Sequence, residues 1–175
     1  MTRCRRNLPL RPAVDPRGSC YASPMAMVAP QQMSKAFDLL VLDAEGTPVV
    51  AVEVTGTPRR AAETKRWLQE QASILGIPYG IVVDPESTEL LDLAGPEAPP
   101  LLVLPTRELL AHYAHGLDAK KATERYLVLL VDTWLRNVMQ PLAADPPPAL
   151  EQLVKTGVAA RLRDGHTVAE WRSVF

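Results

Sequence analysis

Residues 37–56 read FDLLVLDAEGTPVVAVEVTG. Two apolar runs, Phe37–Asp43 and Pro48–Gly56, flank the tetrapeptide AEGT. Strand-like runs joined by a short link containing glycine are the mark of a β-hairpin. Both runs are apolar almost throughout, which predicts cover on both faces, as in an α/β protein. Alternation along the second run turns Val49, Ala51, Glu53 and Thr55 to one face and Val50, Val52 and Val54 to the other. Glu53 therefore stands on an apolar face. An ionised carboxylate there needs a cation, a set of donors, or the nearby strand end at Gly56-Thr57-Pro58.

The hairpin itself brings Glu53 a neighbour. Asp38 precedes the turn by about as many residues as Glu53 follows it, and an antiparallel pair sets the start of one strand beside the end of the next. Adjacent carboxylates repel unless a cation lies between them. Two hard oxygen donors suit Mg²⁺, which keeps several waters and takes one or two carboxylates. The bland alternative is a solvated Asp38 and a Glu53 paired with Lys65 or Arg59.

After Gly56 the apolar period changes from 2 to 3.6. Thr57 is placed to cap a helix and Pro58 suits a first turn. The spacing predicts a helix from Arg59 to about Leu75, with Ala61, Thr64, Leu68, Ala72 and Leu75 inward and Lys65 and Gln71 at the margins. Gly76 and Pro78 stop it. YGIVVD, Tyr79–Asp84, is the next strand, PEST turns the chain, and ELLDL returns it. A helix between two strands implies a crossover.

With these elements in order, FDLLVLD, EG, AVEVTG, an amphipathic helix and GIPYGIVVD resemble the PD-(D/E)xK nuclease superfamily. The likeness spans roughly Phe37 to Leu93. It implies a restriction-endonuclease-like core, a mixed sheet flanked by helices, and Mg²⁺-dependent hydrolysis of phosphodiester bonds in DNA or RNA. Asp38 and Glu53 would hold the metal, which would polarise the phosphate and acidify a bound water. The chain departs from the pattern in three places. Thr55 stands where the family carries lysine, and a hydroxyl brings no positive charge. Phe37 stands where the family has proline. No acid occurs between Pro16 and Phe37, so the family's leading acidic helix is missing. Lys65 is the candidate substitute for the lysine, with Arg59 and Arg60 nearer the strand end. The catalytic set implied is Asp38, Glu53, Thr55 and Lys65. The competing reading is a degenerate, non-catalytic module that binds nucleic acid or a protein.

The rest of the chain offers weaker chemistry. Residues 1–24 form an arginine-rich leader, read as disordered or as an over-extended translation start rather than a phosphate-binding arm. Residues 25–104 form the core, opened by AMVAP (Ala26–Pro30) as a short edge strand, and 105–175 a mainly helical C-terminal extension. Helices are expected at Arg107–Leu117, at Ala119–Met139 capped by Asp118, and near Ala149–Lys155. A hairpin is expected at Asp164-Gly165. The 119–139 helix is apolar on more than one side, which fits burial in the domain or a homodimer seam. His112 and His115 lack a third ligand for zinc, and Asp84 reads as a turn acid.

With net charge −1 and pI about 6.3, a sequence-blind binding surface for nucleic acid is not indicated overall. Cys4 and Cys20 form no disulfide framework and suit a reducing compartment. No apolar run reaches membrane-spanning length. The expectation is a cytoplasmic protein.

Overall fold

The computed structural model describes residues 37–95, 98–140 and 146–169. The leader, AMVAP and both cysteines lie outside them. The chain is α/β: a six-stranded mixed sheet in the order β5-β4-β3-β2-β1-β6, flanked by helices on both faces. The strands are β1 (Leu39–Leu42), β2 (Pro48–Val54), β3 (Tyr79–Val83), β4 (Ser87–Asp92), β5 (Leu102–Pro105) and β6 (His166–Ala169). β2 and β3 run parallel, and the other neighbours run antiparallel.

The hairpin forms as its residues require. Asp43 Oδ1 accepts the amides of Glu45 at 3.1 Å and Thr47 at 2.7 Å, an Asx-type turn, and Gly46 takes the positive φ of 82° that the reversal needs. The register pairs Leu39 with Val52 and Val41 with Val50, then slips so that Leu42 faces Pro48. This bulge corrects one expectation. Val49, the extra residue, packs with the cluster on the far face and not with that of Ala51. Beyond the slip, the alternation of Ala51 and Glu53 against Val50, Val52 and Val54 is as read from the sequence.

The crossover begins with a 3₁₀ turn, Pro58–Arg60, and continues as α1, Ala61–Leu75. Thr57 makes no side-chain cap, so the turn rests on Pro58 and on the Arg60 amide bonded to the Thr57 carbonyl at 3.1 Å. Gly76 closes α1 at φ 70°, donating to the carbonyls of Ala72 and Ser73. Leu68 and Ala72 are its buried residues. They meet Phe37, Leu40, Leu42, Ala51, Val82 and Leu91 on one face of the sheet. Gly80 makes the approach close: a Cβ there would lie 2.9 Å from Leu68 Cδ2.

The other face is covered by α2 (Thr106–Ala111), α3 (Glu124–Met139), α4 (Leu150–Lys155) and α5 (Val158–Leu162). Three expectations change here. α2 stops at Ala111, because Tyr113 and Ala114 both turn back to the Leu110 carbonyl and the chain reverses at Gly116, φ 74°. Thr123, not Asp118, caps α3: its side chain accepts the Tyr126 amide at 3.3 Å, while Asp118 pairs with Lys121 at 3.2 Å. Asp164-Gly165 does not join a hairpin but delivers β6 to β1, pairing Leu42 with His166 and Leu39 with Ala169. The C-terminal segment is thus more than an extension. Among the described residues it supplies one edge strand and every helix on one face.

α3 buries Leu127, Leu130, Val131, Trp134, Leu135, Val138 and Met139 within the domain, leaving Tyr126 and Leu129 exposed. The Trp134 indole donates to the Pro148 carbonyl at 3.0 Å, tying α3 to the start of α4. Among the described residues no helix is long and apolar enough to cross a membrane.

Candidate functional site

The carboxylates meet where the β1–β2 ladder runs out. Continuing the Leu39–Val52 register by one residue sets Asp38 opposite Glu53. There the side chains take over from backbone carbonyls. The Val54 amide donates to Asp38 Oδ2 at 2.9 Å, and the Asp38 amide donates to Glu53 Oε1 at 3.3 Å. Each acid is fixed by an amide of the opposite strand, a charge-assisted contact that holds both carboxylates in one place. Glu53 is 9% exposed and Asp38 is half-buried, so the pair sits at the rim of the core. Glu53 shares the α1 face with Ala51 and Val82.

Thr55 is buried directly after β2, its amide bonded to the Val83 carbonyl at 2.8 Å. Its hydroxyl turns onto its own loop, donating to the Thr57 carbonyl at 3.3 Å and accepting the Thr57 amide at 3.4 Å. Position 55 therefore contributes turn structure and no charge.

Lys65 points from α1 to the sheet and pairs with Glu89 Oε2 at 2.8 Å. Both side chains are little more than a quarter exposed, 27% and 28%. Glu89 is the residue that sequence reasoning passed over. The register pairs Glu53 with Val82 on β3, and Val82 with Glu89 on β4. Glu53 and Glu89 thus flank Val82 in one row across three strands, on the face that α1 covers. A local signal existed in STELLD, where Thr88 and Leu90 are buried toward one side and Glu89 alternates with them. Only the register of two strand pairs places that alternation beside Glu53.

Arg59 and Arg60 are exposed on the 3₁₀ turn, and Gln71 is half-buried on α1. Asp84 is a turn acid as expected, accepting from the amides of Glu86 and Ser87 and from the Ser87 hydroxyl. His112 and His115 lie in the turns after α2, not along one helix, and His112 stacks edge-on against Tyr113. A groove of about 550 Å³ runs along α1 beside the end of β4, lined by Lys65, Arg66, Gln69, Ser73, Leu93 and Ala94 among others.

Among the described residues no group of three or more His, Cys, Asp or Glu side chains is placed to hold a metal ion. The carboxylates that could hold a divalent cation here are those of Asp38 and Glu53. Two hard oxygens at a partly wetted rim fit Mg²⁺, which retains water in its shell, and not a metal that needs a full protein cage.

No protein-family model matches the chain, and neither the curated proteins nor the solved structures contain a significant match.

Proposed function

We propose that this protein is a Mg²⁺-dependent hydrolase of nucleic-acid phosphodiester bonds, with a restriction-endonuclease-like core in which Asp38 and Glu53 hold the metal. The reading is carried by one observation: the reciprocal amide–carboxylate contacts of 2.9 and 3.3 Å that fix the two acids side by side at the end of the first hairpin. The parallel β2–β3 pair joined through α1 supports it, since that is the element order the resemblance implies.

When bound, the metal supplies a polarised phosphate and a water acidified toward neutrality. The chain's own part is placement and charge. The amides of Asp38 and Val54 hold the two carboxylates in register at the end of the hairpin. The apolar surround of Ala51 and Val82 lowers the local dielectric and strengthens each electrostatic contact. Thr55 offers a hydroxyl that hydrogen-bonds and nothing more. Lys65, held on the same sheet face by Glu89, is the proposed substitute for the missing lysine.

A panel of single- and double-stranded DNA and RNA, incubated with Mg²⁺ or Mn²⁺, tests the reading. Metal-dependent cleavage that disappears in Glu53→Ala and Asp38→Ala is the expected result. Absence of cleavage by the wild-type chain across that panel overturns it.

A second reading has its own observation. The Thr55 hydroxyl is spent on its turn and position 55 bears no charge, which suits a non-catalytic descendant that binds nucleic acid or a protein. That reading expects no rise of Tm on adding Mg²⁺, and a Glu53→Gln variant at least as stable as the wild type, because the amide removes the repulsion from Asp38.

A further inference from the structure

We propose that Glu89 is a positioning residue of this site: its carboxylate anchors the Lys65 ammonium on the sheet face that carries Glu53, so that Lys65 supplies the positive charge absent at position 55. This rests on the nuclease reading and deepens it.

The placement follows from packing, one step at a time. Gly80 lacks the Cβ that would strike Leu68, so α1 settles close to β3 with Leu68 seated above Gly80. Gly80 pairs with Leu91 on β4. Lys65 precedes Leu68 by three positions, on the same side of the helix and nearly one turn toward its N-terminus. Glu89 precedes Leu91 by two positions, on the same side of the sheet. The two shifts run in the same direction, toward the ends of β2 and β3 where Glu53 lies, and they close in the 2.8 Å contact. Lys65 is therefore directed by the same close approach that seats α1.

A lysine on a helix flank ordinarily extends its ammonium into water and samples many rotamers. Lys65 instead lies against the sheet with about a quarter of its side chain exposed, because Glu89 gives its ammonium a partner there. Charge that is already oriented stabilises developing negative charge without a reorganisation step. Among the described residues, three other cations near the hairpin are held differently. Arg59 and Arg60 belong to an exposed 3₁₀ turn that buries none of its residues, and Arg66 is exposed. Lys65 has its acid partner, Glu89, in the row of Glu53 and Val82. Its role is that of a fixed ammonium donating to a phosphate oxygen. No proton transfer is assigned to it.

The test uses the full chain and two independent readouts. The first is kinetic, on whichever nucleic acid the panel shows to be cleaved. Lys65→Met lowers kcat on the order of 10²-fold, and Glu89→Gln lowers it about tenfold, the scale seen when a partner of a functional group is removed. The double variant is no slower than Lys65→Met alone, because Glu89 acts through Lys65, and Lys65→Arg with Glu89 intact recovers part of the rate. Additive losses in the double variant overturn the proposal.

The second readout does not depend on activity. Lysines are reductively methylated with ¹³C, and the Lys65 resonance is assigned by its loss in Lys65→Arg. Glu53→Gln shifts that resonance, Mg²⁺ shifts it in the wild type, and Glu89→Gln abolishes both responses while leaving circular dichroism unchanged. A Lys65 resonance indifferent to Glu53→Gln overturns the proposal even if the protein cleaves nucleic acid. If neither cleavage nor Mg²⁺ binding is found, the nuclease reading fails, and the response to Glu53→Gln still decides whether Lys65 is held within reach of the Glu53 field.

Discussion

The two faces of the sheet are built on different terms. One is covered by four helices, α2 to α5, whose leucines, valines and Trp134 form a continuous apolar cluster with Leu39, Val41, Val50, Val52, Ile81 and Val83. Among the described residues the other carries one helix, α1, and its smaller cluster ends at Glu53, Glu89 and Lys65. A single helix cannot cover six strands. The rim it leaves is where charged groups keep partial contact with water, and where a carboxylate is tolerated at the edge of an apolar core. The candidate site lies on the face where the described residues place one helix, and on the four-helix face the carboxylate of Asp132 is held at the margin by the Thr167 hydroxyl and Arg136.

Three substitutions break or sharpen this contrast, from the largest expected effect to the smallest. Trp134→Ala strikes the fully covered face. It empties a side chain that is 1% exposed and removes the indole bond to Pro148. The expected loss is about 3–5 kcal/mol of unfolding free energy, read by urea denaturation. A loss near that of a surface substitution would show that the four-helix cover is loose.

Gly80→Ala strikes the α1 face. The added methyl must displace Leu68 Cδ2, which is the end of a flexible side chain, so the fold survives with a loss of about 1–3 kcal/mol. Leu68 is displaced within the α1 face, and where that displacement is passed to the helix the Lys65–Glu89 pair loosens. The expected sign of this is faster acetylation of Lys65 relative to Lys155, followed by mass spectrometry. Unchanged Lys65 labelling would mean that the helix height does not direct that lysine.

Glu53→Gln is the mildest. The amide keeps an acceptor for the Asp38 N–H and removes one charge, so stability changes by less than about 1 kcal/mol. What it removes is any Mg²⁺-induced rise in Tm, measured by scanning calorimetry with and without the ion. A rise that persists in the variant would place the bound metal away from the hairpin.

Much of this was legible in the chain. The link at residues 44–47, the alternation of Ala51 and Glu53, and the stop at Gly76 are short-range features, and each has a local cause: Asp43 closing the turn, the pleat, and the left-handed conformation of a glycine. The pairing of Asp38 with Glu53 was legible for the same reason, since a tight turn sets the register of its own strands. Errors arose where a local cue met a competing geometry. Val49 obeys alternation until a bulge shifts it. Asp118 has the chemistry of a helix cap, but Gly116 and the turns around it delay the helix to Thr123.

By itself the sequence determined an α/β layering and a two-carboxylate hairpin, because both follow from contacts between residues close along the chain. It also placed an uncharged residue at position 55. Only the tertiary structure decided what stands across from that hairpin. The Glu53–Val82–Glu89 row needs two registers, one through a crossover helix and one through a turn, and no local pattern encodes their sum. The seating of β6 beside β1 likewise joins strands more than a hundred positions apart. Such pairings are chosen by how whole layers bury their faces, so the partner of Lys65 emerges only when α1 packs against the finished sheet.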